Sequence, residues 1–281
     1  MILIIRAFSL LLFLSQLQCA TRLPSEKIVD RELTSAVPLQ NDPKKLKAPY
    51  VVMLSIDGYR YDYTELHQAQ NLSALAAAGV SAKSLKPIYP SRTFPNHYSI
   101  VTGMYADRHG IVSNNFYDPQ RKTRFALSDR KAVTDGSWYL AEPLWVTAAK
   151  QGLRTASFFW VGSEGEIQGL RPNHYYLYDE TVPNSNRVDK VLAWLSLPEE
   201  KRPHLLLLYM SDVDDAGHKY GPNSPEVKAA VQAVDAQVGR LYQGLIALRE
   251  TGLEINLVIV SDHGMHEVRP ERVIRIDEPL L

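Results

Sequence analysis

Cysteine is almost missing from this sequence: its one copy, Cys19, lies in an N-terminal stretch that resembles a processing segment. Without further cysteines, we expect the mature chain to have no disulfide bonds. Any metal site in it must then use histidine and carboxylate ligands rather than thiolates. This absence excludes disulfide-stapled folds and cysteine-based zinc modules.

An excess of one charge is also missing, since 31 Lys and Arg residues balance 31 Asp and Glu residues. No basic stripe stands out, so the composition does not favour binding of a nucleic-acid duplex. The apolar run at residues 7–14 is too short for a comfortable membrane span. We therefore expect a small-molecule substrate as the partner, and no stable membrane span after processing.

The first 20 residues have the order of a signal peptide. Arg6 gives a basic start, the apolar run follows, and a more polar stretch ends at the small residue Ala20, where we predict cleavage. An export signal on a chain with no other cysteine predicts a bacterial periplasmic or secreted protein. Residues 21–47 are polar and contain several prolines, which predicts a leader or linker, and residues 48–281 are expected to form one domain.

Apolar, β-rich runs without polar alternation indicate strands buried on both faces of a sheet. They occur at residues 50–56, 155–160, 204–210 and 255–260, and a further strand is predicted at 80–87. Helical patterns lie between them, at residues 71–78, 96–102, 142–150, 188–197 and 225–249. This alternation predicts an α/β fold with a mostly parallel central sheet and helices on both faces.

Three of the apolar strands each end in an aspartate, namely Asp57, Asp214 and Asp262. In a parallel sheet these ends share one edge, where open α/β sheets place their ligands, although each aspartate could instead be a turn residue. His263 directly follows Asp262. His218 follows Asp214 after three residues that include a glycine, which predicts a tight loop. Carboxylates and imidazoles without thiolates suit a catalytic Zn²⁺ site.

The segment around Thr93 predicts a hydroxyl side chain at the start of a helix. Pro95 cannot donate a backbone hydrogen bond, so it fits the first turn of a helix. Thr93 would then lie at the helix N-terminus, where free N–H groups favour an anion. Two interpretations remain open from these residues alone: Thr93 is a helix cap, or it takes part in chemistry at the predicted metal site.

Four motifs occur together in this chain, and they make it resemble the nucleotide pyrophosphatase/phosphodiesterase family of the alkaline phosphatase superfamily. They are Ser55-Ile56-Asp57-Gly58, Thr93-Phe94-Pro95-Asn96-His97, Asp214-x-x-Gly217-His218-x-x-Gly221-Pro222 and Ser261-Asp262-His263-Gly264-Met265. The resemblance covers about residues 48–265. It implies an alkaline-phosphatase-like fold and makes residues 48–281 a phosphodiesterase catalytic domain.

The same resemblance implies two zinc ions and a role for each motif residue. By motif position, the ligands would be Asp57, Asp262, His263 and the oxygen of Thr93 for one zinc, and Asp214 and His218 for the other. Thr93 would be the nucleophile that forms a covalent phospho-threonine. Asn114 would hydrogen-bond a phosphoryl oxygen. A threonine at this position argues against a sulfatase, which needs a cysteine or serine.

The resemblance further suggests a nucleotide substrate that is cleaved to a 5′-monophosphate. Phe94 follows the nucleophile, and Tyr178 matches a family tyrosine that stacks on a nucleobase. Ordinary half-buried packing is an equally good interpretation of Tyr178. Alternative activities are those of a phosphomonoesterase, a phosphonate hydrolase or a lysophospholipid hydrolase.

Two departures from the family pattern qualify this expectation. Family domains continue further and supply a third histidine to the zinc that Asp214 and His218 would hold, whereas no histidine follows His266 here. We therefore predict that the chain is C-terminally incomplete or that this zinc is weakly held. A non-catalytic fragment that binds zinc and nucleotides is a further alternative. Glu164 also replaces an aspartate that is common in the family's nucleotide site, which bears on substrate preference.

Overall fold

The computed structural model describes residues 37–273, and the predicted signal peptide lies outside this range. Its centre is a five-stranded sheet in the order β5-β4-β6-β1-β7, with all neighbouring strands parallel. The strands are β1 (Tyr50–Ile56), β4 (Thr155–Phe158), β5 (His174–Tyr176), β6 (Leu205–Met210) and β7 (Ile255–Val260). A separate antiparallel hairpin is formed by β2 (Asn115–Asp118) and β3 (Thr123–Ala126).

Helices cover both faces of this sheet, as two hydrophobic clusters on opposite sides of the strands show. The helices are α1 (Tyr63–Leu66), α2 (Gln70–Ala78), α3 (Thr93–Thr102), α4 (Ala106–His109), α5 (Arg130–Thr134), α6 (Leu144–Lys150), α7 (Asn184–Leu195), α8 (Asp212–Tyr220) and α9 (Pro225–Glu250). Helices α7 and α9 contribute to one cluster, and α3 and α6 contribute to the other. The predicted α/β class with a parallel sheet is confirmed.

The central strands are apolar because both of their faces are covered. In β6 every residue after Leu205 is buried. The strand predicted at 255–260 is present, but the prediction that it is buried on both faces is wrong. Strand β7 lies at an edge of the sheet, and only Ile255 is fully buried there, while Val258 is 37% exposed.

The register of the sheet brings the carboxyl ends of three strands level with one another. Ile56 at the end of β1 is paired with Met210 at the end of β6, and Ser55 is paired with Val260 at the end of β7. The residues that follow these strands therefore lie side by side at one edge. This edge carries the predicted site.

Two other local predictions are wrong. Residues 80–87 form no strand, and all but the last residue of this stretch are exposed to solvent. The segment after β6 was expected to be a loop, but it is helix α8, so Asp214 lies in the first turn of a helix rather than at a strand end. The helix predicted at 225–249 is confirmed as α9: the side chain of Ser224 caps it by accepting a hydrogen bond from the N–H of Val227, and Pro225 is its first residue.

The described part of the predicted leader, from Val37 onward, is packed on the domain. The side chain of Asn41 is buried, and it donates hydrogen bonds to the carbonyl oxygens of Glu199 and Arg202. It also accepts one from the N–H of Arg154. This stretch is therefore docked rather than loosely attached. No helix within residues 37–273 is long and apolar enough to cross a membrane.

Candidate active site

Three side chains predicted to bind metal come together at the carboxyl edge of the sheet. Asp57, Asp262 and His263, here called the buried trio, each offer one ligand atom within 4.8 Å of the others. His263 Nε2 lies 3.1 Å from Asp262 Oδ2 and 3.5 Å from Asp57 Oδ1. Both carboxylates are almost fully buried, and the His263 side chain is 9% exposed.

The carboxylate oxygens of this edge fit a bound cation. Within the described residues, Asp57 Oδ1, Asp262 Oδ2 and Asp214 Oδ1 are buried and have no hydrogen-bond partner. Burial raises the pKa of Asp57 well above its usual value, helped by repulsion from Asp262. Burial likewise raises the pKa of Asp262 to about 7. A divalent cation would offset this cost, and carboxylate with imidazole is a donor set that Zn²⁺ accepts.

The imidazole of His263 is oriented for metal binding. Its Nδ1–H donates to the carbonyl oxygen of Gly264 at 3.0 Å, because a carbonyl oxygen can only accept. The lone pair of the neutral ring is then on Nε2, which faces the two carboxylates.

Thr93 is the first residue of α3, and its Oγ1 lies 3.4 Å from His263 Nε2. Pro95 lies in the first turn, as predicted. The interpretation of Thr93 as a helix cap is wrong, since the N-cap position is occupied by Arg92 and no side chain caps the helix there. Thr93 is instead a hydroxyl beside the buried trio.

Asn114 fixes the start of the same helix. Its Oδ1 accepts a hydrogen bond of 2.9 Å from the N–H of Phe94. The carboxamide therefore lies next to Thr93 with its N–H₂ group still available as a donor. The ring of Phe94 is half-buried and contacts Phe125 edge to face at 5.8 Å between centroids.

A buried histidine connects the helix to the sheet. His97 donates from Nδ1 to the carbonyl oxygen of Thr93 at 2.9 Å, and its Nε2 accepts from the hydroxyl of Ser55 at 2.8 Å. Its Nδ1 is also 3.4 Å from Asp262 Oδ2. Burial lowers the pKa of His97. His97 thus connects the first turn of α3 to strand β1 and to Asp262.

The two ligands predicted for the other zinc lie on a helix and differ in their exposure to solvent. Asp214 and His218, here called the helix pair, lie one turn apart on α8, with His218 Nε2 3.5 Å from Asp214 Oδ2. The predicted tight loop between them is therefore wrong. The His218 side chain is 70% exposed, whereas that of Asp214 is 14% exposed. Neighbouring Asp215 is turned to Ser211, with which it shares a side-chain hydrogen bond.

Two glycines allow the two ligand groups to approach. Gly58 has φ +66°, and a Cβ there would lie 2.9 Å from the Cα of Asp214. Gly217 lies under the side chain of Met265, whose Sδ would be 2.5 Å from an added Cβ. Helix α8 can therefore pack directly against the segments that follow β1 and β7 only because both positions lack a side chain.

Tyr178 lies close to this edge and is 37% exposed. Its ring contacts those of Phe159 and Tyr209 edge to face, at 5.2 and 6.2 Å between centroids. Its backbone N–H donates to Glu164 Oε1, and the other carboxylate oxygen of Glu164 is paired with Arg130. Glu164 thus holds the backbone of Tyr178 and is buried beneath it.

Sequence reasoning missed one residue of the site, Tyr209, whose hydroxyl donates to Asp57 Oδ2 at 2.6 Å. Its position in the run Leu-Leu-Leu-Leu-Tyr-Met of β6 suggested ordinary core packing. The signal that could have revealed it is a phenol in an otherwise aliphatic strand, because a buried hydroxyl needs a partner.

The sequence of this chain is similar to those of known proteins. The sequence profile of the family "Type I phosphodiesterase / nucleotide pyrophosphatase" matches residues 51–281. Human ectonucleotide pyrophosphatase/phosphodiesterase family member 1 is 42% identical over 244 residues, which are 85% of this chain and 26% of that protein. The venom phosphodiesterase CdcPDE of Crotalus durissus collilineatus is 40% identical over 227 residues, 79% of this chain and 27% of that protein.

A solved structure is also similar. Murine ectonucleotide pyrophosphatase/phosphodiesterase 5, in an inactive form in complex with AMP, has 31% sequence identity and a TM-score of 0.76. The match covers 82% of this chain and 60% of that one. The chain thus spans about a quarter of the length of the curated relatives it matches.

Proposed function

Because the chain belongs to the type I phosphodiesterase / nucleotide pyrophosphatase family, we propose that it hydrolyses phosphodiester or phosphoanhydride bonds of small molecules. The observation that carries this proposal is the position of the Thr93 hydroxyl, 3.4 Å from His263 Nε2 and at the start of a helix. A nucleophile next to metal-binding side chains is the arrangement that phosphoryl transfer requires.

Two zinc ions are proposed as cofactors. The buried trio would hold one of them together with Thr93, and the helix pair would contribute two ligands to the other. Support comes from the unpartnered carboxylate oxygens of Asp57, Asp262 and Asp214. When bound, zinc supplies Lewis-acid chemistry, lowering the pKa of a nearby hydroxyl and neutralising phosphate charge.

The chain's own residues then carry out two displacements. Thr93 Oγ1 attacks phosphorus and loses its proton to solvent, the bond to the leaving oxygen breaks, that oxygen takes up a proton, and a phospho-threonine forms. Water attacks the same phosphorus in the second displacement, which releases the monophosphate and restores the hydroxyl. The free N–H₂ of Asn114 and the N-terminus of α3 would stabilise charge on the phosphoryl oxygens.

A nucleotide is the proposed substrate class, with a 5′-monophosphate as product. The aromatic rings of Phe94 and Tyr178 border the site and offer faces for a base. The similar murine structure contains AMP. Export to the periplasm or the exterior, and a bacterial source, rest on residues 1–20 and stay predictions.

The test compares p-nitrophenyl thymidine monophosphate, a diester, with p-nitrophenyl phosphate, a monoester. We expect zinc-dependent release of nitrophenol with a preference for the diester. Preference for the monoester would contradict the proposal and favour a phosphomonoesterase.

A second candidate function is non-catalytic binding of zinc and nucleotides. The 70% exposure of His218, with only Asp214 beside it as a predicted co-ligand, favours this alternative. Retained AMP binding with no turnover of either substrate would support it.

A further inference from the structure

The hydroxyl of Tyr209 is placed by the sheet to meet Asp57. In the parallel register, Tyr209 on β6 is paired with Ser55 on β1, two residues before Asp57. Its side chain is buried, and its hydroxyl donates to Asp57 Oδ2 at 2.6 Å. This is a short hydrogen bond of the kind that a carboxylate acceptor forms.

The two oxygens of Asp57 consequently have different surroundings. Oδ2 is taken by the phenol, whereas Oδ1 is buried without a hydrogen-bond partner among the described residues and lies 3.5 Å from His263 Nε2. A donor on one oxygen fixes the rotation of the carboxylate and leaves the other oxygen to face the trio. Outer partners of metal ligands act in this way in other proteins.

The ring of Tyr209 contacts two other rings, and its backbone is held as well. The ring of His97 contacts it edge to face at 5.2 Å, and the ring of Tyr178 does so at 6.2 Å. The guanidinium of Arg187, a residue that is only 2% exposed, donates to the carbonyl oxygen of Tyr209 at 2.9 Å. The hydroxyl of Tyr209 is therefore held in one position, and it can fix the orientation of the Asp57 carboxylate.

We propose that Tyr209 is a positioning residue of the metal site: its hydroxyl binds Asp57 Oδ2 and thereby presents Oδ1 to a divalent cation. The inference rests on the metal-binding part of the proposed function. It does not require that the chain turn over any substrate.

The test is the affinity of the full chain for Zn²⁺, measured by competition with a chromophoric chelator. Tyr209→Phe keeps the ring and removes the donor, so we expect zinc binding to weaken by about 10- to 100-fold. Tyr139→Phe is the matched control, because that buried hydroxyl donates to the carbonyl oxygen of Val133, away from the trio. We expect its zinc affinity to match that of the unmodified chain, while both variants lose some stability in urea without metal.

A double-mutant cycle separates positioning from general destabilisation. In an Asp57→Asn background, Tyr209→Phe should have no further effect on zinc affinity, since the carboxylate through which it acts is gone. As a second measurement that needs no variant of Tyr209, zinc should change the near-ultraviolet tyrosine spectrum of the unmodified chain and of Tyr139→Phe alike.

Three results would overturn the inference: unchanged zinc affinity in Tyr209→Phe, additive effects in the cycle, or a tyrosine spectrum that zinc leaves unchanged. If zinc affinity falls as expected but neither nitrophenyl substrate is cleaved, the catalytic proposal fails and the inference holds. A full chain that binds no zinc contradicts both.

Discussion

The buried trio and the helix pair differ in what holds them. Asp57 and Asp262 follow neighbouring strands β1 and β7, so their separation is set by the register of the sheet, and both are almost fully buried. Asp214 and His218 lie on a single helix, and His218 is mainly in solvent. The trio is therefore pre-organised by the core, whereas the pair has one largely buried and one exposed ligand.

The two groups should therefore bind metal unequally. Rigid, desolvated ligands lose little entropy on binding, and their charges interact strongly because water is excluded. An exposed imidazole must be ordered first and remains in contact with solvent. We expect the trio to fill before the pair as zinc is added.

The largest expected effect comes from Thr93→Ala, which tests whether catalysis takes place at the buried trio. Turnover should fall on the order of 10⁶-fold, as it does when another hydrolase loses its nucleophile. Zinc binding at the trio should persist, because Asp57, Asp262 and His263 are unchanged and only the oxygen of Thr93 is lost as a ligand. Steady-state rates and zinc titration check this; a variant with near-normal rate would remove Thr93 from the mechanism.

His263→Ala and His218→Ala test whether the buried trio and the helix pair differ in their affinity for zinc. Loss of the buried ligand should weaken the tighter zinc site by more than the ~10–100-fold that loss of an outer partner causes. Loss of the exposed ligand should affect only the weaker site, and to a smaller extent. Zinc titrations with two fitted dissociation constants give the result, and equal losses in both variants would break the distinction.

Gly58→Ala should damage the contact between the two groups. Gly103→Ala is a matched control, since both glycines have φ +66° but an added Cβ at Gly103 meets nothing within 4 Å. The control should lower the free energy of unfolding by about 1–2 kcal/mol through the left-handed backbone alone. Gly58→Ala should lower it further and weaken zinc binding, because its Cβ displaces Asp214. Urea unfolding of both variants measures the difference, and equal losses would contradict the contact.

The last expected effect is gradual and concerns the pH dependence of the metal-free chain. Burial raises the pKa of Asp262 from 3.8 to about 7. Its contribution to stability is thus complete below pH 3.8 and is lost as the pH rises towards 7. Relative to Asp262→Asn, the unmodified chain should lose at most about 1.4 kcal/mol per pH unit in this window.

Both chains contain the same buried histidines, whose pKa values burial lowers. The contribution of these histidines cancels when the unfolding free energies of the two chains are subtracted. With zinc bound, the trend should reverse, because the ligands must be deprotonated to bind. A difference in unfolding free energy that stays constant from pH 4 to 7 would show that Asp262 titrates normally.

The strand ends could be predicted from the sequence because a buried parallel strand is a continuous apolar run with a clear boundary. Asp57, Asp262 and His263 follow such boundaries, and the structure brings them together. Helix α8 could not be predicted in this way. Gly217 in its middle lowers its helix propensity, and Ser211 at its N-cap makes no side-chain cap. The packing of Val213 in the core and of Met265 on Gly217 stabilises it instead.

The order of the strands and the contacts between them could also not be predicted from the sequence. The exposed edge position of β7 depends on which strands become neighbours, and the apolar run at 255–260 resembles that of the central strands. The hydrogen bond from Tyr209 to Asp57 likewise depends on the register of β6 against β1. Such tertiary information is absent from local patterns.

The edge position of β7 links metal binding to local unfolding. In the described residues this strand is hydrogen-bonded to β1 alone, and its end carries both Asp262 and His263. Detachment of this one strand would remove two ligands of the trio at once, so zinc should oppose that motion more than any other. Amide hydrogen exchange in β7 should accordingly slow on zinc addition far more than in β6, which lies between β4 and β1.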